Sequence, residues 1–296
     1  MITDLAASRH LGKKSSVAEQ YDKTLLVAVL REENRKNYGI SSESLPFSGF
    51  DVWHAYEFST LTENGLPVTK VLKLKYSCES KYIVESKSLK LYLNSFNMTN
   101  FGKTQKDALE KAEKTIKKDL SELLQTDVCV NFLDDDFRIK NIFENYSDIT
   151  EFADIEKIRT EDFKENPKLL EPENSELKEY RLKYTSLRSN CRVTHQPDFG
   201  DVFIYYKSDK HIKEDSLIKY LVSFRSEYHF HEECVEMIYK RLSDILNKGD
   251  ELLVCAMYTR RGGIDINPLR YSKKCTISDY DDLSDLKKLV KGGIKQ

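Results

Sequence analysis

No run in the 296-residue sequence approaches the roughly 18 consecutive apolar residues that a membrane span requires. The segment Met1–Lys23 has no apolar h-region either; it mixes His10, Lys13, Lys14 and Glu19 with scattered apolar residues, so a secretory signal is not expected. Residues 1–16 read as a partly disordered end. A basic excess is missing: the net charge is −2, which removes any global electrostatic reason to bind nucleic acid. The Rossmann fingerprint Gly-x-Gly-x-x-Gly does not occur. Cysteines are few and scattered (Cys78, Cys129, Cys191, Cys234, Cys255 and Cys275), and with no export signal they read as reduced thiols in a cytoplasmic protein.

What is present is a folded composition, 40% hydrophobic and 32% charged, with a single Trp but 17 Tyr and 14 Phe. The length favours two domains, because single cores stop growing at about this size. An internal match supports that division. Ser88-Leu-Lys-Leu-Tyr-Leu-Asn-Ser-Phe96 aligns with Ser216-Leu-Ile-Lys-Tyr-Leu-Val-Ser-Phe224, identical at six of nine positions. These two stretches read as strands. Downstream of each comes an amphipathic helix pattern, Leu109, Ala112, Ile116, Leu120 and Leu123 in the first half and Val235, Ile238, Leu242 and Ile245 in the second. Thr104 and Asp107 fit a capping box for the first helix. Upstream, Leu72, Leu74 and Tyr76 alternate with Lys73 and Lys75 as in a half-exposed strand, while Val202–Tyr206 suits a buried one. Val128–Phe132 and Leu252–Tyr258 are further strands. Each half therefore reads strand, strand, helix, strand, and Glu165–Asn174, with two prolines, is the expected linker.

The halves differ where chemistry is expected. Ser189-Asn-Cys-Arg-Val-Thr-His-Gln-Pro-Asp-Phe-Gly-Asp201 has no cysteine-bearing counterpart in the first half, and Val84-Glu-Ser-Lys-Ser88 has none in the second. His229-Phe-His-Glu-Glu-Cys-Val-Glu236 stands where the first half has Asn100-Phe-Gly-Lys103. Each copy keeps what the other lacks, which points to one composite site. Cys191 lies in a polar loop with Asp198 seven residues on. A free thiol titrates near 8.5, so a nucleophilic role needs help from such a group. Taken singly, each feature has a plain structural reading too. Cys191 is a loop cysteine without a role, Lys87 and Lys90 are a solvated strand face, Arg260-Arg261-Gly262-Gly263 is a hairpin turn, and His231 and Glu232 are first-turn helix residues. His195 and His229 read as surface or local hydrogen-bonding residues.

The ordered set is more specific. Glu85-Ser-Lys-Ser-Leu-Lys-Leu-Tyr92, Ser189-Asn-Cys191 with Pro197-Asp198 and Gly200, Phe230-His-Glu232 and Thr259-Arg-Arg-Gly-Gly-Ile-Asp265 together resemble the 7-cyano-7-deazaguanine reductases, QueF type, in their long two-module form. The resemblance covers the full length. It implies an α+β fold of two tandem tunnelling-fold modules, 1–165 and 166–296, with antiparallel sheets, helices on one face and assembly into a barrel through a homodimer. It implies NADPH-dependent reduction of a nitrile to a primary amine in queuosine biosynthesis, a tRNA-modification pathway, with no metal. Cys191 would be the nucleophile, Asp198 the general acid/base and His231 a proton relay. Val84, Glu85, Ser86, His231 and Glu232 would bind the deazaguanine, and Ser86, Lys87, Arg261 and Gly262 the cofactor. Neither direct nucleic-acid contact nor a membrane is expected. Two rivals remain. A zinc cyclohydrolase of the same fold could use Cys191/His195 and His231/Cys234 as ligand pairs. A non-enzymatic purine- or pterin-binding relative would leave the Cys, Asp and Glu set incidental.

Overall fold

The computed structural model describes residues 20–134, 139–278, 280–293 and 295. The expectation for residues 1–16 lies outside them. Strand β1 (Ala28–Leu30) and helix α1 (Arg31–Asn37) precede the hairpin β2 (Ser48–Thr62) and β3 (Pro67–Ser77). Then come β4 (Tyr82–Val84), α2 (Ser86–Asn94), β5 (Asn100–Gly102), α3 (Gln105–Leu124) and β6 (Val128–Phe132). Short strands β7 (Ile139–Asn141) and β8 (Ser147–Asp148) lead to the second half. That half comprises β9 (Pro172–Asn190), β10 (Pro197–Ile212), α4 (Glu214–Val222), α5 (His231–Ile245), β11 (Glu251–Tyr258) and β12 (Ile264–Tyr271). Helix α6 (Asp281–Ser284) and β13 (Leu289–Lys291) follow.

The main sheet is one open path, β6-β3-β2-β12-β11-β10-β9-β8, with β5 alongside β2. Its neighbours are antiparallel except at β8–β9 and β2–β5. The two halves join without a gap, because β12 pairs with β2 from Ile264↔Ala55 to Tyr271↔Ser48. Alternation along the strands assigns the faces. Val202, Ile204, Tyr206, Val254 and Ala256 pack under α4 and α5, and Trp53, Leu72, Leu74, Val128 and Ile266 pack under α2 and α3. The opposite face holds Val52, Phe203, Tyr205, Cys255 and Leu269, covered by Phe143, Tyr146, Leu283 and Val290. The α+β class with helices on one face is therefore present. Burial on both faces explains why Val202–Tyr206 reads as a continuous apolar run.

Two expectations need correction. The repeated segments are helices, α2 and α4, and not strands, so each half runs β-β-α-α-β. Leu89, Tyr92, Leu93 and Phe96, like Leu217, Tyr220, Leu221 and Phe224, fall three, four and seven residues apart, and all eight are buried. Glu85 starts α2 by accepting from the amides of Lys87 and Ser88. Lys73 is not on a half-exposed face. It is fully buried beneath the C-terminal segment, where its ammonium donates to the carbonyls of Asp285 (2.8 Å) and Lys288 (2.7 Å). His229 is buried, and of the two readings offered for it the hydrogen-bonding one is met. The capping box is as expected, with Thr104 Oγ1 accepting from Asp107 N and Asp107 accepting from Thr104 N.

The halves are also fastened by charge. Asp51 on β2 and Glu236 on α5 are buried among Arg31, Arg35 and Arg270. Arg270 donates to Asp51 (2.8 Å) and Glu236 (2.9 Å), Arg35 to Glu236 through two nitrogens (2.7 and 2.8 Å), and Arg31 to Asp51 (2.5 Å). Three guanidinium groups against two carboxylates leave a positive surplus one helical turn from Glu232. Glu165, in the expected linker, is bound by Arg241 (3.0 Å) and Tyr220 (3.2 Å), so that segment is docked on α4 and α5 and does not run as a free tether.

Candidate active site

The six residues 191–196 that turn β9 into β10 close on themselves. Cys191 N donates to the Gln196 carbonyl (2.8 Å), His195 N to the Cys191 carbonyl (2.9 Å), and His195 adopts a left-handed φ of 60°. Inside this turn the Thr194 amide donates to Cys191 Sγ at 3.5 Å. Asp198 follows on β10, opposite Ser189, and is buried.

Helix α5 begins at the same place. Glu233 accepts from Phe230 N (2.9 Å) and from Arg192 in the cysteine turn (3.0 Å), which fixes the start of the helix against that loop. The first turn then places His231 and Glu232. His231 stacks on Tyr258 with centroids 3.7 Å apart and planes 5° apart, and its Nε2 stands 3.4 Å from Asp198 Oδ2. Burial pushes its imidazole down to about 3, so it is neutral at physiological pH. Glu232 is pushed up to about 8, first by burial and then by Asp51, with Arg31 and Arg270 acting against the shift. Its Oε1 is buried without a protein partner.

The first half contributes β4 and the start of α2, where Val84 and Glu85 are buried, Ser86 is half-buried and Lys87 is exposed. The β11–β12 turn completes the ring. Arg261 and Ile264 exchange two backbone hydrogen bonds (2.9 and 3.1 Å) around Gly262 (φ 56°) and Gly263 (φ 79°), a two-residue hairpin that needs positive φ at both positions. At Gly262 a Cβ would also stand 2.8 Å from Lys90 Nζ. Arg261 pairs with Asp198 and donates to Gln196 Oε1 (2.8 Å).

These elements surround a cavity of about 430 Å³. Cys191, Asp198, His231, Val84, Glu85, Ser86, Glu232, Lys87, Arg261 and Gly262 all line it, so both halves of the chain contribute walls. The sequence reading missed Trp53, Phe230 and Ile266, which give it apolar walls, and Lys90, Gln196 and His229. Lys90, Phe230 and Gln196 lie within or beside the motifs and could have been included. Trp53 comes from the middle of β2, and only its pairing with β12 brings it here. His229 bonds Glu227 (3.0 Å) and Tyr38 (3.1 Å), and its pKa is raised because the bonds to Glu227 and Glu233 outweigh burial. Glu85 lines the cavity, and its two carboxylate oxygens also cap α2.

The cavity brings together a thiol, a carboxylate with a neutral imidazole beside it, an acid with an open oxygen, and three cations, Lys87, Lys90 and Arg261. That donor set suits the phosphates of a dinucleotide without a Rossmann turn. Among the described residues, no three His, Cys, Asp or Glu converge as metal ligands. Cys234 is buried, with its thiol pushed up to about 12 by burial, and the His195 ring lies against Tyr228.

Comparison with known proteins places this site in context. Residues 17–132 match the family described as nitrile reductase, 7-cyano-7-deazaguanine-reductase N-term, and residues 197–276 match the family described as QueF-like protein. The NADPH-dependent 7-cyano-7-deazaguanine reductase of Colwellia psychrerythraea (strain 34H) is 41% identical over 267 residues, spanning 88% of this chain and 91% of that relative.

Proposed function

Because the chain belongs to the 7-cyano-7-deazaguanine reductase family, we propose that it reduces the nitrile of 7-cyano-7-deazaguanine to the primary amine, with NADPH as hydride donor, in the queuosine pathway. The reading is carried by one observation, the convergence of the Cys191 turn, Asp198 and the start of α5 on one cavity with α2 of the other half. Modules 1–165 and 166–296 then act as two halves of a single site.

A nitrile carbon accepts hydride poorly. Addition of Cys191 Sγ converts it to a thioimidate, dividing one hard step into easier ones. As the S–C bond forms, Asp198 takes the thiol proton and passes it to the nitrile nitrogen. Two hydrides, one from each of two NADPH molecules, and two protons complete the four-electron reduction. After the first hydride the sulfur leaves as thiol and an imine remains; the second hydride gives the amine. His231, neutral and close to Asp198, relays protons in these later steps. Glu232 accepts the ring N–H and exocyclic amine of the heterocycle, with Val84, Glu85, Ser86 and His231 completing its pocket. Ser86, Lys87, Arg261 and Gly262 hold the cofactor phosphates.

The proposal extends to assembly and setting. A homodimer would close the open sheet into a barrel through β6 and β9, whose outer edges carry no partner or only β8 among the described residues. All six cysteines are free, in keeping with a cytoplasmic enzyme, and no helix among the described residues is long and apolar enough to cross a membrane. No direct contact with nucleic acid is proposed.

The test is the intact mass of the protein incubated with 7-cyano-7-deazaguanine in the absence of NADPH. A gain equal to the whole substrate, absent in Cys191→Ala and lost when NADPH is added, is expected. Folded wild-type protein that gains no mass would remove the covalent route.

A further inference from the structure

Arg261 has more to do than one guanidinium can do at once. One terminal nitrogen pairs with Asp198, and the other donates to Gln196 (2.8 Å), whose backbone carbonyl closes the Cys191 turn (2.8 Å). In this state both terminal nitrogens are engaged, one by the acid/base carboxylate and one by the loop that carries the nucleophile, so a phosphate has to compete for the fork. The side chain is 38% exposed while the Asp198 side chain is 5% exposed, so the mobile partner is the arginine. It stands on a hairpin of two glycines at positive φ.

We propose that Arg261 is a handover residue, held by Asp198 in the resting site and released to the cofactor phosphates when the substrate nitrogen takes its place. The inference rests on the reaction proposed above. In that reaction the Cys191 thiol adds across the nitrile. The S–C bond forms, one C≡N π bond is replaced by N–H, and the thiol proton travels through Asp198 to the nitrogen. Asp198 ends as a carboxylate again, but it now faces an N–H donor that competes for the oxygen Arg261 occupied. The guanidinium stays charged throughout and turns toward Lys87 and Lys90, which line the same cavity. Adduct formation and dinucleotide binding are thereby coupled, each favouring the other by the same factor. The cysteine turn loosens only after it has been used, and the reductant is recruited only once a reducible C=N exists.

The coupling is measured with NADP⁺, which binds without reducing the adduct. Its affinity is compared on free wild-type protein, on protein carrying the nitrile adduct, on free Asp198→Asn, and on Arg261→Ala with and without adduct. NADP⁺ is expected to bind roughly tenfold more tightly to the adduct than to free wild type. Asp198→Asn, which removes the competing charge, reaches a similar affinity with no substrate present. Arg261→Ala binds weakly, and its adduct gains little. A full adduct that leaves NADP⁺ affinity unchanged in wild type, or an equal gain in Arg261→Ala, overturns the handover even if Asp198→Asn fails to fold. Absence of the adduct mass would instead overturn the reaction itself, and the handover with it.

Discussion

The two halves share the order β-β-α-α-β, yet they turn different ends of it toward the cavity. In the first half the hairpin tip, Glu63 to Leu66, is exposed and does not line the cavity, and the second helix begins at the exposed cap Thr104. This half faces the cavity chiefly with the start of its first helix, Glu85 to Leu91, helped by Val84 and by Trp53 of β2. In the second half the hairpin tip carries Cys191, and the second helix starts in the cavity with His231 and Glu232. The first helix there begins at Lys213 without a side-chain cap and packs near the segment that enters β9. Equivalent helix starts therefore serve opposite purposes. The comparison shows where strain is tolerated: the start of α5 buries a shifted histidine and a shifted glutamate, whereas α3 starts with an ordinary solvated cap.

The largest effect is expected where the halves are fastened. Glu236→Gln should cost about 3–5 kcal/mol, because it leaves buried Arg35 without its carboxylate and takes one of two from Arg270. Urea unfolding would measure it. Burial alone would raise the Glu236 carboxyl, but Arg270, Arg35 and Arg31 hold it at about 2. Its contribution is thus complete at neutral pH and fades as the pH falls through the ordinary carboxylate range toward 2. A loss below about 1 kcal/mol would mean that the Glu236 ion pairs add little to the β2–β12 pairing and the Arg270–Asp51 pair in joining the two halves.

The next effect sharpens the contrast in strain. Glu232 titrates near 8 in the fold but near 4.3 when unfolded, so between those values the folded chain holds a proton that the unfolded chain has lost. Stability therefore falls as pH rises through that window and levels off above about 8. Glutamine cannot ionise, so Glu232→Gln should melt a few degrees higher than wild type at pH 8.5 and show little difference near pH 4. The same variant should bind the deazaguanine roughly a hundredfold more weakly, having lost a charged acceptor for two N–H groups. Wild-type affinity should rise between pH 6 and 8.5, while that of the variant stays flat. A variant that bound as well as wild type would show that the pocket is read without Glu232.

Much of this contrast was legible in the sequence. The motifs name the cavity, the stripes of α3 and α5 read directly, and the capping box at Thr104 is in place. The repeat itself was misread because six identities drew attention to its β-prone residues, while the helical spacing of Leu89, Tyr92, Leu93 and Phe96 carried the signal. Lys73 could not be placed, since the carbonyls that bury it lie more than 200 positions away. Trp53 was invisible for the same reason: a strand pattern tells which face a residue takes, but not which distant strand sits beside it. Glu85 shows a subtler limit. A motif residue can cap a helix and face a substrate pocket at once, and the sequence does not separate the two.

The smallest effect tests whether the two helix starts are separable at all. Thr104 caps α3 from the N-cap position, and Glu233 caps α5 from its third residue by accepting from Phe230 N. Thr104→Ala should cost about 1 kcal/mol, the usual value of a cap, and lower Tm by roughly 2–4 °C with kcat/KM unchanged. Glu233→Ala removes a comparable cap, but it also releases Arg192 of the cysteine turn (3.0 Å) and one of the carboxylates beside His229 (3.4 Å). It should lower kcat/KM roughly tenfold or more, the loss expected when a supporting contact lets a catalytic group drift. Thermal melts and steady-state rates on the two variants, side by side, decide the matter. Equal stability losses with unequal rates would place the division of labour at the helix starts, whereas equal rates would mean that the second half holds its nucleophile through the turn alone.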